Sequence, residues 1–279
     1  MIHPREPQRS AAVADHYDEL DRAYREIWGE HVHHGFWRSG RETRHEAADA
    51  LSDLVADALA LTPGQVLADI GCGYGATARR FAARHGVSVT GFTISARQAF
   101  HARPAPRVTI LHRDWLANAQ PDAAFDRAYA IESSEHIADK QGFFTEAWRV
   151  LKPDGRLVVC AWLARTRARQ WEVDHLLEPI CREGRLPSMG TREDYEALAA
   201  AAGFAPFAFE DISRQVRRTW TICTARFARK LATDRWYRRL VTNPATRNRV
   251  FALSLPRLIL AYRTGSMRYG VFTFEKGAS

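Results

Sequence analysis

Glu132, Glu135 and His136 fall within IESSEHIADK, residues 131–140, where an apolar strand-like run ends in two carboxylates and an imidazole. Histidine titrates near neutrality, and a neighbouring carboxylate orients it or raises its basicity, so the cluster has the composition of a proton-handling site. On that reading His136 removes a proton from an acceptor, Glu132 assists or contacts the ligand, and Glu135 is structural. The plain alternative is a helix start, with Ser133 or Ser134 as the cap and Glu135 or His136 in the first turn.

A second cluster precedes it. In VLADIGCGYGATARRFA, Gly71, Gly73 and Gly75 stand between a strand pattern and a helix pattern, with Asp69 just before them. Glycines there let a ligand approach the backbone closely, and a helix start favours negative charge. Gly71, Gly73 and Ala76 also satisfy the dinucleotide fingerprint with its permitted final alanine. Asp69 separates the readings. A carboxylate at the strand tip repels a pyrophosphate but accepts hydrogen bonds from an ammonium group. The acid expected about twenty residues later to hold a dinucleotide ribose is missing from VTGFTISARQ. A cofactor with an amino-acid tail therefore suits the charges better than a nicotinamide dinucleotide, which stays as a rival.

These residues need a scaffold that brings strand ends together. From residue 66 onward, short β-rich runs (VLADI, VSVTGF, RVTILH, DRAYAI, RLVVCAW) alternate with helical patterns, and FAPFAFED and YGVFTFEK follow as two last strands. That alternation predicts an α/β fold, a doubly wound and mostly parallel seven-stranded sheet with helices on both faces. LKPDG is expected to stop a helix at Pro153 and turn into the next strand, and TREDYEALAAAAGF to run from a Thr191 cap to a Gly203 stop. Residues 1–60 form a helical cap rich in histidine and aromatics, and 61–211 the cofactor-binding core. Residues 212–265 separate the last two strands by far more than a hairpin needs, which reads as a lid insertion before the final strand at 266–279.

The stretches YDELDRAYREIWGEHVHHGFW, ADIGCGYGATARRFA, VTGFTISARQ and ESSEHIADKQGFFTEAWRVLKPDGRLVV together resemble class I S-adenosylmethionine-dependent methyltransferases. The likeness is closest to the tocopherol C-methyltransferase group and related small-molecule methyltransferases. It implies a Rossmann-like methyltransferase fold with S-adenosyl-L-methionine as cofactor. Asp69, Gly71, Cys72, Gly73 and Gly75 would then line the methionine end and ribose. Thr93, Ile94, Ser95 and Gln98 would replace the usual ribose acid, and Asp114 and Trp115 would meet the adenine. Ile131 and Glu132 would sit beside the methionine moiety, with Tyr17 and Trp37 closing over the cofactor from the cap. Relative to that group, the connection from ARQAFHARPAP to the third strand is short and the segment 214–249 is more basic.

Composition sets the remaining bounds. The net charge of +8, from 40 basic and 32 acidic residues, leans toward anionic partners without choosing one, and most of the excess lies between Arg214 and Arg249. Cys72, Cys160, Cys181 and Cys223 form no CxxC pair, the N-terminus lacks the apolar core of a secretion signal, and VFALSLPRLILAY is interrupted by Pro256 and Arg257. A cytoplasmic protein with free thiols is the expectation. His31, His33 and His34 beside Glu30 suggest an acceptor pocket with Phe36 and Trp37 rather than a metal site, and no metal is expected. In TWTICTARFARKLATDRWYRRL, Trp220, Cys223, Phe227 and Leu231 recur at helical spacing. An amphipathic helix packed on its own domain follows, as a lid over the acceptor or with peripheral membrane contact through 219–240. Nucleic acid is not an expected partner, because the fourth-strand signature is IESS and no RNA-binding module is present. The reading is methyl transfer to a small apolar or aromatic acceptor, such as a prenylated quinol or specialised metabolite. A fold that binds the cofactor without methyl transfer, as a cyclase or binding module, is the alternative.

Overall fold

The computed structural model describes residues 1–277. Seven strands, β1 (Val66–Ile70), β2 (Ser88–Thr93), β3 (Val108–His112), β4 (Phe125–Ile131), β5 (Leu151–Ala164), β6 (Phe204–Asp211) and β7 (Met267–Lys276), form one sheet in the order β3-β2-β1-β4-β5-β7-β6. β1 pairs in parallel with both β2 and β4, and β7 runs antiparallel between β5 and β6. The direction of connection therefore reverses at β1, and the crevice outside β1, β2 and β4 is where ligands bind in such sheets.

Both faces of the sheet are buried, which is why the central strands read as near-continuous apolar runs. Leu67, Tyr129, Val158 and Cys160 share one core with Leu51 and Val55 of the Arg44–Leu59 helix and with Trp220 of the insertion. Ala68, Ile70, Ala128, Ala130 and Val159 pack on the other face with Phe143, Phe144 and Tyr195. Alternation along each strand thus hands one set of side chains to the cap and insertion, and the other to two ordinary crossover helices.

Two helix ends match the sequence signals. Thr43 and Glu46 form a reciprocal capping box at Arg44–Leu59, and Thr191 and Asp194 form another at Arg192–Ala201, which Gly203 closes at φ +102°. LKPDG behaves differently from expectation. The Lys140–Val150 helix ends before it, and β5 begins at once with Leu151. The pairing with β4 then skips from Phe125–Leu151 to Arg127–Arg156. Asp154 takes a left-handed conformation, so the anticipated turn is absorbed as a bulge within the strand.

The cap contains helices Ser10–Glu19, Asp21–Ile27 and Arg44–Leu59, and the insertion contains Arg218–Thr233, Arg235–Thr242 and Phe251–Thr264. They fasten to each other. Glu26 meets Lys230 and accepts from Tyr237, Arg22 pairs with Asp234 at 2.7 Å, and Glu19 accepts from Asn248 N and Nδ2. Trp220 and Cys223 are buried, and Phe227 and Leu231 pack against the same core, so the apolar stripe of this insertion is spent inward. Among the described residues no helix is long and apolar enough to cross a membrane.

Candidate active site

A cleft of about 760 Å³ opens at the carboxyl ends of β1, β2 and β4. Its floor is the glycine loop. Gly71 N and Cys72 N both donate to Phe92 O, which pins the loop to β2. Gly71 lies at φ +79°, and a Cβ there would fall 2.2 Å from the Ser133 Cβ, so only glycine fits between β1 and the turn after β4. Gly73, at φ +55°, has nothing within 4 Å of where its Cβ would lie and faces the cleft.

Thr93, Ile94 and Gln98 line the next wall. Thr93 Oγ1 donates to Gln98 Oε1 at 2.7 Å, which leaves the Gln98 amide nitrogen as the group able to donate to a ligand hydroxyl. Ser95 stands behind them, accepting from Gln98 N as the cap of the Ala96–His101 helix and donating to Asp18 of the N-terminal helix at 2.5 Å. Asp114 and Trp115 close the far end. The indole of Trp115 is fixed by a bond to Phe143 O and an edge contact with Phe92.

Asp69 is almost fully buried beneath the loop, in register with Tyr129 of β4, and its Oδ2 has no hydrogen-bond partner. Burial pushes its carboxyl up to about 7, against a smaller downward pull from the Tyr129 hydroxyl. An unpartnered buried carboxylate is costly, and a cation at the strand tip would relieve it. The donor set therefore fits S-adenosyl-L-methionine: a carboxylate toward its amino group, glycine amides along the chain, the Gln98 amide for ribose hydroxyls, and Asp114 with Trp115 for the base.

Tyr17, Ile131, Glu132 and His136 form the opposite wall, and Tyr17, Glu132 and His136, with Val32, also border a second, narrow cavity. The far side of that cavity is aromatic, made by Tyr24, Trp28, Trp162, Trp220 and Phe251, with Leu186. His136 ends a short helical turn after β4, and its Nε2 lies 2.9 Å from the Tyr17 hydroxyl at the boundary of the two spaces. Burial lowers the imidazole to about 4, with Lys140 adding to the fall while the Arg185 carbonyl and Glu132 oppose it. Burial also raises the Tyr17 phenol. At neutral pH both groups are uncharged and share one proton.

Glu132 takes a left-handed backbone conformation, and its carboxylate accepts four hydrogen bonds. Oε1 takes His34 N at 2.6 Å and Tyr269 Oη at 2.8 Å, and Oε2 takes His34 Nδ1 at 2.8 Å and Trp162 Nε1 at 3.0 Å. Burial would raise its pKa, but these contacts, led by His34, hold it below the usual carboxylate range. Every lone-pair direction is used, so Glu132 is a clasp between cap, β5 and β7 and not a free base. Glu135 likewise accepts from Trp162 N and Ser134 Oγ and is built into the fold.

Of the residues named from sequence, Tyr17, Gly71, Gly73, Thr93, Ile94, Gln98, Asp114, Trp115, Ile131, Glu132 and His136 converge on the cleft. Asp69, Cys72, Gly75 and Ser95 support it from behind: Gly75 starts the Ala76–His85 helix, and the Cys72 thiol bonds to Gly73 O. Trp37 is a correction. Bonds from Phe36 N to Ala47 O and from Trp37 N to Gln215 O fix this segment between the Arg44–Leu59 helix and the insertion. The indole donates to Glu42 O, so its ring sits away from the cleft. Missed altogether were Trp28, Trp162 and Phe251. Only Trp162 carried a signal, its place near the carboxyl end of a strand. Among the described residues no group of three or more His, Cys, Asp or Glu is arranged to hold a metal ion.

A family model described as mycolic acid cyclopropane synthetase matches residues 5–240. The 27-O-demethylrifamycin SV methyltransferase of Amycolatopsis mediterranei is 35% identical over 219 residues, covering 76% of this chain and 80% of that one. The chloroplastic tocopherol O-methyltransferase of Arabidopsis thaliana is 26% identical over 291 residues, covering 95% and 81%. Among solved structures, the 4+2 cyclase SpnF matches with a TM-score of 0.82 at 27% identity, over 100% of both chains.

Proposed function

Because the chain belongs to the mycolic acid cyclopropane synthetase family and is an S-adenosylmethionine-dependent methyltransferase, we propose that its acceptor is a small, largely apolar, ring-bearing molecule. The acceptor would occupy the aromatic cavity and present a hydroxyl to His136. One observation carries this reading: the hydrogen-bonded Tyr17–His136 pair borders both cavities at once, with Val32 and Glu132 beside it, so the pair stands where a molecule in the second space would meet one in the first.

When bound, the cofactor supplies an already activated methyl group, so much of the rate comes from holding the acceptor in line. The glycine loop, Gln98 and Asp69 fix one partner. Trp28, Trp162, Trp220 and Phe251 enclose the other, exclude water and favour flat apolar surfaces. His136 Nε2 is buried and neutral, and it accepts the hydroxyl proton as the acceptor displaces the Tyr17 phenol from it. Glu132 keeps the cap closed over both. Four free cysteines support the cytoplasmic placement.

The test is transfer of label from methyl-labelled cofactor to a panel of prenylated quinols, phenols and macrocyclic alcohols. Transfer to a ring-bearing hydroxyl compound that His136→Ala abolishes is the expected result. Labelling of nitrogen or of water-soluble sugars alone would overturn the acceptor class. A second reading is favoured by the end-to-end match to a protein titled a cyclase: the cofactor is bound and not consumed. Tight cofactor binding with no label on any acceptor would select it.

A further inference from the structure

Outside the cleft, a groove of about 940 Å³ lies where the insertion meets the cap. Arg214, Arg217, Arg218 and Arg263 border it, and buried Trp37 and Tyr262 line its walls. Four arginines thus border one concavity, and no acidic residue lines it. Arg218 is bonded to Gly40 O, whereas the guanidinium groups of Arg214, Arg217 and Arg263 make no hydrogen bond or ion pair among the described residues. Two acids of the adjoining segments are engaged, Glu42 through Oε1 only, its Oε2 having no partner. Glu42 is taken by Ser39, and Asp211 by Ser213 and Arg268.

Several arginines elsewhere are spent on acids, while others, such as Arg229 and Arg235, also stand without a carboxylate among the described residues. Arg22, Arg25, Arg79, Arg80, Arg149 and Arg156 each grip a carboxylate within 2.8 Å. Like charges gathered in a concave surface repel and concentrate a positive field, a cost that an anionic ligand would remove. Guanidinium forks match the tetrahedral oxyanion of a phosphate, two bonds at a time.

We propose that this groove is a second binding site, for a phosphate group. The group would be carried either on a soluble phosphate ester or on an anionic phospholipid headgroup. The site is separate from methyl transfer and stands whether or not the acceptor reading does.

The experiment measures binding of inorganic pyrophosphate by calorimetry, and of phosphatidylglycerol against phosphatidylcholine vesicles by co-sedimentation. It compares the intact protein, the double variant Arg217→Gln/Arg263→Gln, and a control of equal charge loss elsewhere on the insertion, Arg229→Gln/Arg235→Gln. Cofactor-product affinity checks that each variant is folded. The expected result is saturable binding that weakens with salt, drops at least about tenfold in the groove variant, about 1.4 kcal/mol, and persists in the control. Pyrophosphate binding would mark a soluble ester as the source, and vesicle binding without it a headgroup. Binding of neither probe, equal binding by the groove variant, or equal loss in the control would each overturn the proposal.

Discussion

The two cavities that meet at Tyr17 and His136 are made from different materials. The cofactor cleft is shaped by backbone: left-handed glycines, amides pinned to a neighbouring strand, and short turns at the ends of β1, β2 and β4. The aromatic cavity is shaped by side chains from four segments far apart in the chain, with Tyr24 and Trp28 from the cap, Trp162 from β5, Trp220 and Phe251 from the insertion. Backbone geometry holds one ligand and tolerates little change. A wall of side chains can be recut residue by residue, which is how one scaffold serves many acceptors.

If that division is right, substitutions should separate cleanly. His136→Ala should lower kcat by about 10²–10⁴-fold with cofactor-product affinity nearly unchanged by calorimetry. Equal losses in both would merge the two sites into one. Gly71→Ala should weaken cofactor-product binding by at least about 100-fold, since the added methyl meets Ser133 in a conformation that resists side chains. Trp28→Leu should act on the other side only, raising acceptor KM by about 10–100-fold.

The smallest effect is a pH dependence. Asp69 in the free protein carries a proton below about 7, and the cofactor's ammonium favours the ionised form. Binding therefore releases a proton, and affinity should rise as pH climbs toward 7, by up to about tenfold per unit. Asp69→Asn should flatten that slope. A slope of the same size in Asp69→Asn would assign the proton to another group, such as Glu135, whose carboxyl burial also raises.

The same contrast decided what could be read from sequence. The inner strands were legible because strands buried on both faces appear as apolar runs at regular spacing, whereas the edge strands β3 and β6 are largely open to solvent. The cleft was legible because its parts are contiguous: Asp69 to Gly75, Thr93 to Gln98, Asp114 with Trp115. Trp37 went wrong because a place in the cap, which is what the resemblance supplied, does not fix which way a ring turns once Trp37 N is bonded to Gln215 O. The aromatic wall was illegible because only tertiary packing joins Trp28 to Phe251. Residues 170–183 went unassigned, as helix there is broken by an expanded turn at Val173–Leu177. Glu132 looked like chemistry from sequence because a buried anchor and a buried base share one residue type, and only the donor count tells them apart.

The four donors on Glu132 also set a rule for recombining this protein with its relatives. His34 comes from the N-terminal segment, Trp162 from the sheet and Tyr269 from the strand after the insertion. A chimera that exchanges any one of these pieces alone would leave a buried anion short of a partner. New acceptor ranges should therefore be sought by swapping the pieces together, or by leaving this junction whole and varying the rings around it.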